Sequence, residues 1–189
     1  RVSIGEGGSG VYFNAMDVLN AAGITMDDIK PQYQSFEDSK EALKDGKIDA
    51  AFIVAAAPTT AITELATTNG MHLINIDGEL CENLLEQCPY YQVQEIPANT
   101  YPKQKEVVRT VAVKATLVVS KDVSEEDVYK LTAAIFDHKD AIKKENAQGE
   151  KLSLETATSV TTVPYQSGAA KYYKEHGIEV KTDQDFDLT

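Results

Sequence analysis

VSIGEGGSGVYFNAMDVL, residues 2–19, is the stretch of sequence that decides the fold. It opens with a short apolar run and continues through the pattern G-x-G-x-x-G at Gly5, Gly7 and Gly10. Apolar residues at helical spacing follow the glycines. A strand that passes through a glycine-rich turn into a helix is typical of an α/β unit. The sequence therefore predicts such a unit, and it raises the question of whether the turn holds a dinucleotide or another anion.

Further strands and helices alternate along the first hundred residues. The predicted strands cover residues 31–36, 48–55, 71–76 and 93–96. Ser35 with Asp38 predicts a helix cap, and Pro58 predicts the start of a helix over residues 59–68. Strands that alternate with helices favour a mainly parallel sheet flanked by helices. The fold class predicted from the residues is therefore α/β.

The character of the sequence changes near Val107. Residues 110–120 alternate and then become β-branched, which predicts a strand. Ser124 with Asp127 predicts the cap of a long helix that runs to about Asn146. A last helix is predicted around residues 169–176.

Charge and hydropathy argue against two classes of partner. The chain carries 30 acidic and 18 basic residues, a formal charge of −12. Such a chain repels polyanions and anionic lipid, which argues against nucleic acid and membrane surfaces as partners. No apolar stretch approaches the roughly 20 residues that a membrane-spanning helix needs.

The two cysteines, Cys81 and Cys88, lie in a segment that predicts a short helix. In a continuous helix this spacing separates the Cα atoms by roughly 10 Å, which is beyond the reach of a disulfide. Two small apolar residues on one helix face are the favoured interpretation. A disulfide stays open if the helix ends before Pro89.

Two helix starts could bind an anion. In the glycine-rich turn, the Ser9 hydroxyl and the N–H groups of Gly10 and Val11 can point at one oxygen atom, and the helix dipole adds positive charge. Ala56 to Thr60 form a second helix start after a buried strand, at the sheet edge where ligands of α/β proteins bind. The alternative for both is that the hydroxyl groups only cap their own helices.

The sequence predicts no catalytic or metal site and no cofactor. The three histidines, His72, His138 and His176, are scattered and have no ligand-like spacing. No G-x-S-x-G nucleophile motif is present.

A set of motifs resembles a known family. GEGGSGVYFNA, AAGIT, DGKIDAAFIVAAAPTTAITELA, INIDGE, IPANTYP and GAAKYYKEHGI follow one another in this order. Together they resemble the TAXI family of extracytoplasmic solute-binding proteins of TRAP transporters. The resemblance extends from Arg1 to about Ile178.

The resemblance implies a periplasmic or otherwise extracytoplasmic receptor of the type II periplasmic-binding-protein class. Its two α/β lobes would close on a small organic anion, such as glutamate, glutamine, a dicarboxylate or a keto acid, and deliver it to an ion-coupled TRAP permease. Val11 and Tyr12 stand where the family pattern has Thr-Glu, which leaves the ligand open. The ligand-binding residues that the resemblance implies are Gly8, Ser9, Gly10, Asn14, Ala57, Pro58, Thr59 and Tyr101.

The resemblance also implies a division of the chain. Residues 1–109 would form the second lobe, and residues 110–189 would supply the crossover strand and C-terminal helices that complete the first lobe. Family members carry a further stretch of domain size before RVSIG, which this chain is expected to lack. The β-branched strand over 112–119 would then have no partner, and we expect it to repack or to pair with a second molecule, as a homodimer or swapped tail.

The alternative function is an enzyme that uses the GEGGSG turn to bind a nucleotide or phosphorylated substrate. A dinucleotide site requires an acidic residue about 20 residues after the glycines to hold the ribose. The nearest candidate, Glu37, follows Gly5 by 32 residues and lies in a capped helix. The sequence therefore favours a solute receptor without catalysis.

Overall fold

The computed structural model describes residues 1–186, apart from the side chain of Ala147. The chain divides into two compact units, Arg1–Val113 and Lys114–Thr189. The division falls within the segment that the sequence predicts to be a strand, and each unit has its own packing.

Three short parallel strands form the sheet of the first unit. They are β1 (Val2–Ser3), β2 (Pro31–Gln32) and β3 (Ala50–Ala51), in the order β2-β1-β3. Flanking backbone extends the pairing, since Ile4 N donates to Gln32 O at 3.0 Å and Phe52 N donates to Ser3 O at 2.9 Å. The strand predicted over 48–55 is shortened because its neighbour β1 leaves the sheet at the glycine turn.

Four helices accompany this sheet. They are α1 (Gly10–Ala21), α2 (Phe36–Lys44), α3 (Thr60–Thr68) and α4 (Gly78–Gln87). α1 packs against α4, and α2 packs against α3. The predicted cap of α2 is confirmed, because the Ser35 hydroxyl accepts a hydrogen bond from Asp38 N at 3.2 Å. Cys81 is buried in α4 and Cys88 ends it, and both are free thiols.

A two-stranded antiparallel sheet completes the first unit. Its strands are β4 (Gln92–Ile96) and β5 (Val108–Ala112). In the described part of the chain, residues 71–76 do not form the predicted strand. Ile76 N donates to Arg109 O at 2.9 Å, but Arg109 N donates to the Asn75 side-chain oxygen at 2.9 Å. A side-chain amide thus replaces the backbone partner that a strand would supply.

Two apolar clusters hold the first unit together. Ile4, Ala15 and Leu19 pack between β1 and α1. Ala21, Leu84 and Tyr91 pack between α1 and α4. The end of β1, which leads into the glycine turn, is therefore fixed by the core.

The second unit is helical. Its helices are α5 (Glu125–Asp137), α6 (Lys139–Glu145), α7 (Leu154–Ala157) and α8 (Ser167–Glu175), with 3₁₀ turns at Ala147–Lys151 and Asp183–Asp185. The predicted cap of α5 is confirmed, since the Ser124 hydroxyl accepts from Asp127 N at 3.1 Å. The single long helix predicted to about Asn146 is wrong, because the backbone of His138 departs from helical geometry with φ −103° and ψ 17°.

The residues before α5 contain an exposed apolar segment. β5 ends at Ala112, and the side chains of Leu117 and Val118 are exposed. Repacking of residues 112–119, or their pairing with a second molecule, stays a prediction.

The predicted α/β class is confirmed. A parallel three-stranded sheet flanked by helices is consistent with a lobe of a periplasmic binding protein. The assignment of residues 1–109 and 110–189 to two lobes stays a prediction. None of the helices within residues 1–186 combines the length and apolar character that a membrane span requires.

Candidate functional site

Three helix starts lie at one edge of the parallel sheet. The segments after β1, β2 and β3 leave its carboxyl edge and lead into α1, α2 and α3. The chain runs from β1 outward to β2 and then crosses back past β1 to β3, so the strand order reverses between β1 and β3. Open α/β sheets bind ligands at the carboxyl edge where the order reverses. This topology places the glycine turn and the segment before α3 on neighbouring strands at that edge.

The glycine turn has one packed side and one open side. Gly5 has φ +82°, and a Cβ there would lie 2.7 Å from Val11 Cβ, so both the backbone and the packing require glycine. Gly8 and Gly10 are exposed, and a Cβ at either would meet no described atom within 4 Å. A ligand can therefore approach the backbone at these two positions.

Ser9 caps α1 and keeps a hydrogen atom to donate. Its hydroxyl oxygen accepts from Tyr12 N at 3.2 Å, so the capping interpretation is confirmed. A hydroxyl that accepts one hydrogen bond can still donate its own proton. The N–H groups of Gly10 and Val11 lie in the first turn, where an α-helix provides no acceptor. Capping and anion binding by Ser9 are therefore compatible.

A cavity of about 230 Å³ lies between the starts of α1 and α2. Its lining comprises Gly5, Glu6, Ser9 and Val11 on the α1 side and Gln34, Ser35 and Phe36 on the α2 side. Gln34 Oε1 is buried and accepts no hydrogen bond from residues 1–186. The α2 side of this cavity is not predicted from the sequence, although Gln34 immediately precedes a predicted helix cap at the end of a predicted strand.

The start of α3 brings together two of the predicted residues. Thr59 occupies the N-cap position, but its side chain makes no capping hydrogen bond to its own helix, so simple capping by Thr59 is wrong. Its backbone N–H donates instead to the Tyr101 hydroxyl at 3.1 Å. The peptide bond between Ala57 and Pro58 is cis. Pro58 is exposed, and Ala57 and Thr59 are half-buried.

Tyr101 is held in place by a loop that Gln104 organises. Gln104 Oε1 accepts from Tyr101 N at 3.1 Å, and its Nε2 donates to Pro97 O at 3.0 Å and to Glu106 O at 2.9 Å. Tyr101 is 4% exposed, and burial raises the pKa of its phenol. The phenol is therefore neutral and fixed beside the start of α3. The role of Gln104 is not predicted from the sequence, because it depends on contacts that local patterns do not show.

Asn14 takes part in a network between helices. Its side-chain N–H donates to the Tyr91 hydroxyl at 2.5 Å, and that hydroxyl donates to Asp17 Oδ2 at 3.0 Å. Burial is the main cause that raises the pKa of Tyr91. This network ties α1 to the end of α4, so the amide of Asn14 has a structural partner one turn from Ser9.

The predicted site residues lie in segments that contain neither lysine nor arginine. Residues 2–29 and 48–102 contain no lysine and no arginine. Within residues 1–186 no group of three or more His, Cys, Asp or Glu side chains could hold a metal ion. The donors that these segments themselves can offer an anion are N–H groups, hydroxyl groups and helix dipoles.

Replacing Tyr101 by phenylalanine is expected to destabilise the first unit by about 1–3 kcal/mol, because it leaves the Thr59 N–H without its acceptor. Urea unfolding monitored by circular dichroism measures the change. Tyr33→Phe is the control, since Tyr33 is exposed. Equal stability of the two variants would contradict an anchoring role for the Tyr101 hydroxyl.

A comparison with family models matches nearly the whole chain. The model of the NMT1-like family matches residues 1–177. The match includes the glycine turn, the start of α3, the loop of Tyr101 and most of the second unit. The chain therefore belongs to the NMT1-like family, which is a family of periplasmic solute-binding proteins.

Proposed function

We propose that this protein is an extracytoplasmic solute receptor that binds a small organic anion at the carboxyl edge of its parallel sheet. The observation that carries the proposal is the reversal of strand order between β1 and β3, which puts the open glycine turn beside the start of α3. Membership of a solute-binding family supports a role in binding rather than catalysis.

The proposed contacts use neutral donors. One carboxylate of the ligand accepts from the Ser9 hydroxyl and from the N–H groups of Gly10 and Val11. The Thr59 hydroxyl, which does not cap its helix, donates from the other side of the crevice. Neutral donors hold an anion without a permanent ion pair, which suits a receptor that must release its ligand.

The resemblance to the TAXI family extends the proposal. Residues 1–109 would form the second lobe, and residues 110–189 would complete the first lobe. Closure of the lobes would bury the ligand on both sides, and a TRAP permease would receive it. Glutamate, glutamine, dicarboxylates and keto acids are the ligand classes to test.

Isothermal titration calorimetry of the full-length protein tests the function. The panel comprises glutamate, glutamine, 2-oxoglutarate, C4-dicarboxylates and a nicotinamide dinucleotide. Saturable heat from a small acid without turnover supports the receptor. A response to the dinucleotide alone would favour the alternative enzyme that uses the GEGGSG turn for a nucleotide.

The Ser9→Ala variant is expected to weaken binding of the active acid by about 1.5–3 kcal/mol, because a hydrogen bond to a charged group is lost. The substitution also removes the cap of α1, so a matched control is needed. Ser124→Ala removes a cap of the same geometry from α5, where the Ser124 hydroxyl accepts at 3.1 Å. Calorimetry should show a loss only for Ser9→Ala, and unchanged affinity would remove Ser9 from the site.

A further inference from the structure

Most of the first unit carries a charge that repels an anion. Residues 1–102 contain 15 acidic and five basic residues. Four of the five basic residues form salt bridges with carboxylates, namely Arg1, Lys40, Lys44 and Lys47. The rate at which an anionic solute reaches the sheet edge therefore depends on where unpaired positive charge lies.

The loop that carries Tyr101 has unpaired positive charge. Lys103 and Lys105 follow directly on the stretch 48–102, which has no lysine and no arginine. Both residues are exposed, and neither forms a salt bridge within residues 1–186. Residues 103–109 contain three basic residues and one acidic residue. The loop is thus a positively charged segment in a unit with a large excess of carboxylates.

This loop is fixed beside the start of α3. The Tyr101 hydroxyl accepts from Thr59 N at 3.1 Å. Gln104 N donates to Tyr101 O at 3.2 Å, and Asn99 N donates to Gln104 O at 2.8 Å. Lys103 is two residues from Tyr101, so their Cα atoms lie within about 8 Å of each other. The backbone that carries the lysines is therefore held close to one side of the proposed site.

Lys103 occupies a position that favours glycine. It is the third residue of the turn from Tyr101 to Gln104, where its φ is +68°, and Pro102 precedes it. Turns with proline in the second position and a positive φ in the third favour glycine or asparagine there. A lysine costs more than glycine in this conformation. The requirements of the turn therefore do not explain the lysine.

We propose that Lys103 and Lys105 steer the anionic solute to the start of α3 and so increase its rate of association. This inference rests on the proposed receptor function. Attraction between charges extends over a Debye length, about 8–10 Å at physiological salt, so neither ammonium group has to touch the bound solute. Charges at the rim of a binding site change the association rate more than the dissociation rate. The neutral donors then hold the solute, and its release stays fast.

Stopped-flow fluorescence of the full-length protein tests the inference with four probes. Succinate and 2-oxoglutarate carry two negative charges at neutral pH, glutamate carries one net negative charge, and glutamine carries none. For each probe that binds, association and dissociation rates are measured in about 20 mM and about 500 mM sodium chloride. We expect the association rate of an anionic probe to fall about threefold or more at the higher salt, while its dissociation rate changes less than about twofold.

Matched double variants locate the effect. Lys103→Gln with Lys105→Gln should slow association of the anionic probe about threefold or more at low salt and match the unmodified protein at high salt. Lys30→Gln with Lys47→Gln is the control, since it removes the same charge from residues that precede β2 and β3, at the amino edge of the sheet. Circular dichroism checks the fold of each variant. Lys103→Gly accepts the positive φ, so it tests the charge if the glutamine variant does not fold.

The outcomes separate the inference from the function on which it rests. Association rates that do not respond to salt, or that fall equally in the control variant, overturn the inference and leave the receptor function standing. A change confined to the dissociation rate does the same, because it would make the lysines direct contacts of the bound solute. Binding of glutamine alone also overturns steering by charge. No binding of any probe contradicts both.

Discussion

Gly168→Ala is expected to destabilise the second unit by about 3 kcal/mol or more, because it forces a methyl group into the contact between two helices. A Cβ at this position would lie 2.1 Å from Glu125 O and 2.7 Å from Tyr129 N. Both atoms belong to backbone, Glu125 and Tyr129 being residues of α5, so no side chain can rotate to make room. α8 would have to move away from α5.

That movement would also disturb the aromatic packing between α5 and α8. The rings of Phe136 and Tyr172 stack with their centroids 5.6 Å apart, and the ring of Tyr129 lies edge-on at 5.8 Å from that of Tyr172. Near-UV circular dichroism of the tyrosines during urea unfolding follows this packing directly.

Gly177→Ala is the matched control for Gly168→Ala. A Cβ at Gly177 would meet no described atom within 4 Å, but the backbone there has φ +82°. Alanine at Gly177 is therefore expected to cost only about 1–2 kcal/mol of backbone strain. An equal or larger loss for Gly177→Ala would contradict the account of close contact at Gly168.

Ile4→Ala is expected to destabilise the first unit by about 2–5 kcal/mol, because it removes buried methyl groups and leaves a cavity. Ile4 is fully buried and packs with Ala15 and Leu19. Phe52, whose backbone extends β3, contacts the same cluster. The loss should appear in urea unfolding followed by far-UV circular dichroism.

Ile4→Val is the matched control for this site. It removes only one methylene group and is expected to cost about 0.5–1.5 kcal/mol. Because Ile4 immediately precedes Gly5, the alanine variant should also weaken ligand binding through the turn, whereas valine should preserve it. Equal destabilisation by alanine and valine would show that Ile4 does not fill the core as the structure describes.

The features that could be predicted from the sequence depend on local chemistry. Ser9, Ser35 and Ser124 each precede a stretch with apolar residues at helical spacing. Each is the N-cap of a helix, and its hydroxyl accepts a hydrogen bond from the backbone N–H three residues further on. A capping hydroxyl interacts with residues only three positions away, so the sequence contains the whole interaction. The alternation of strands and helices likewise predicts a parallel sheet.

The features that could not be predicted depend on contacts between distant segments. The Asn75 side chain accepts a hydrogen bond from the backbone of Arg109, in a segment that does not form the strand predicted over 71–76. Gln34 enters the candidate site only because β2 lies beside β1, which places the start of α2 next to the glycine turn. The anchoring of Thr59 by Tyr101 joins residues 42 positions apart. Local patterns contain no information on such pairs.

Amide chemical shifts locate the bound carboxylate on the protein. Glutamate, or the acid that gives heat in calorimetry, is titrated into the ¹⁵N-labelled full-length protein. We expect saturable shifts for the amides of Gly8 to Val11 and of Thr59 and Thr60, and unchanged shifts in α8. Saturable shifts confined to other segments, with the glycine turn unaffected, would contradict it.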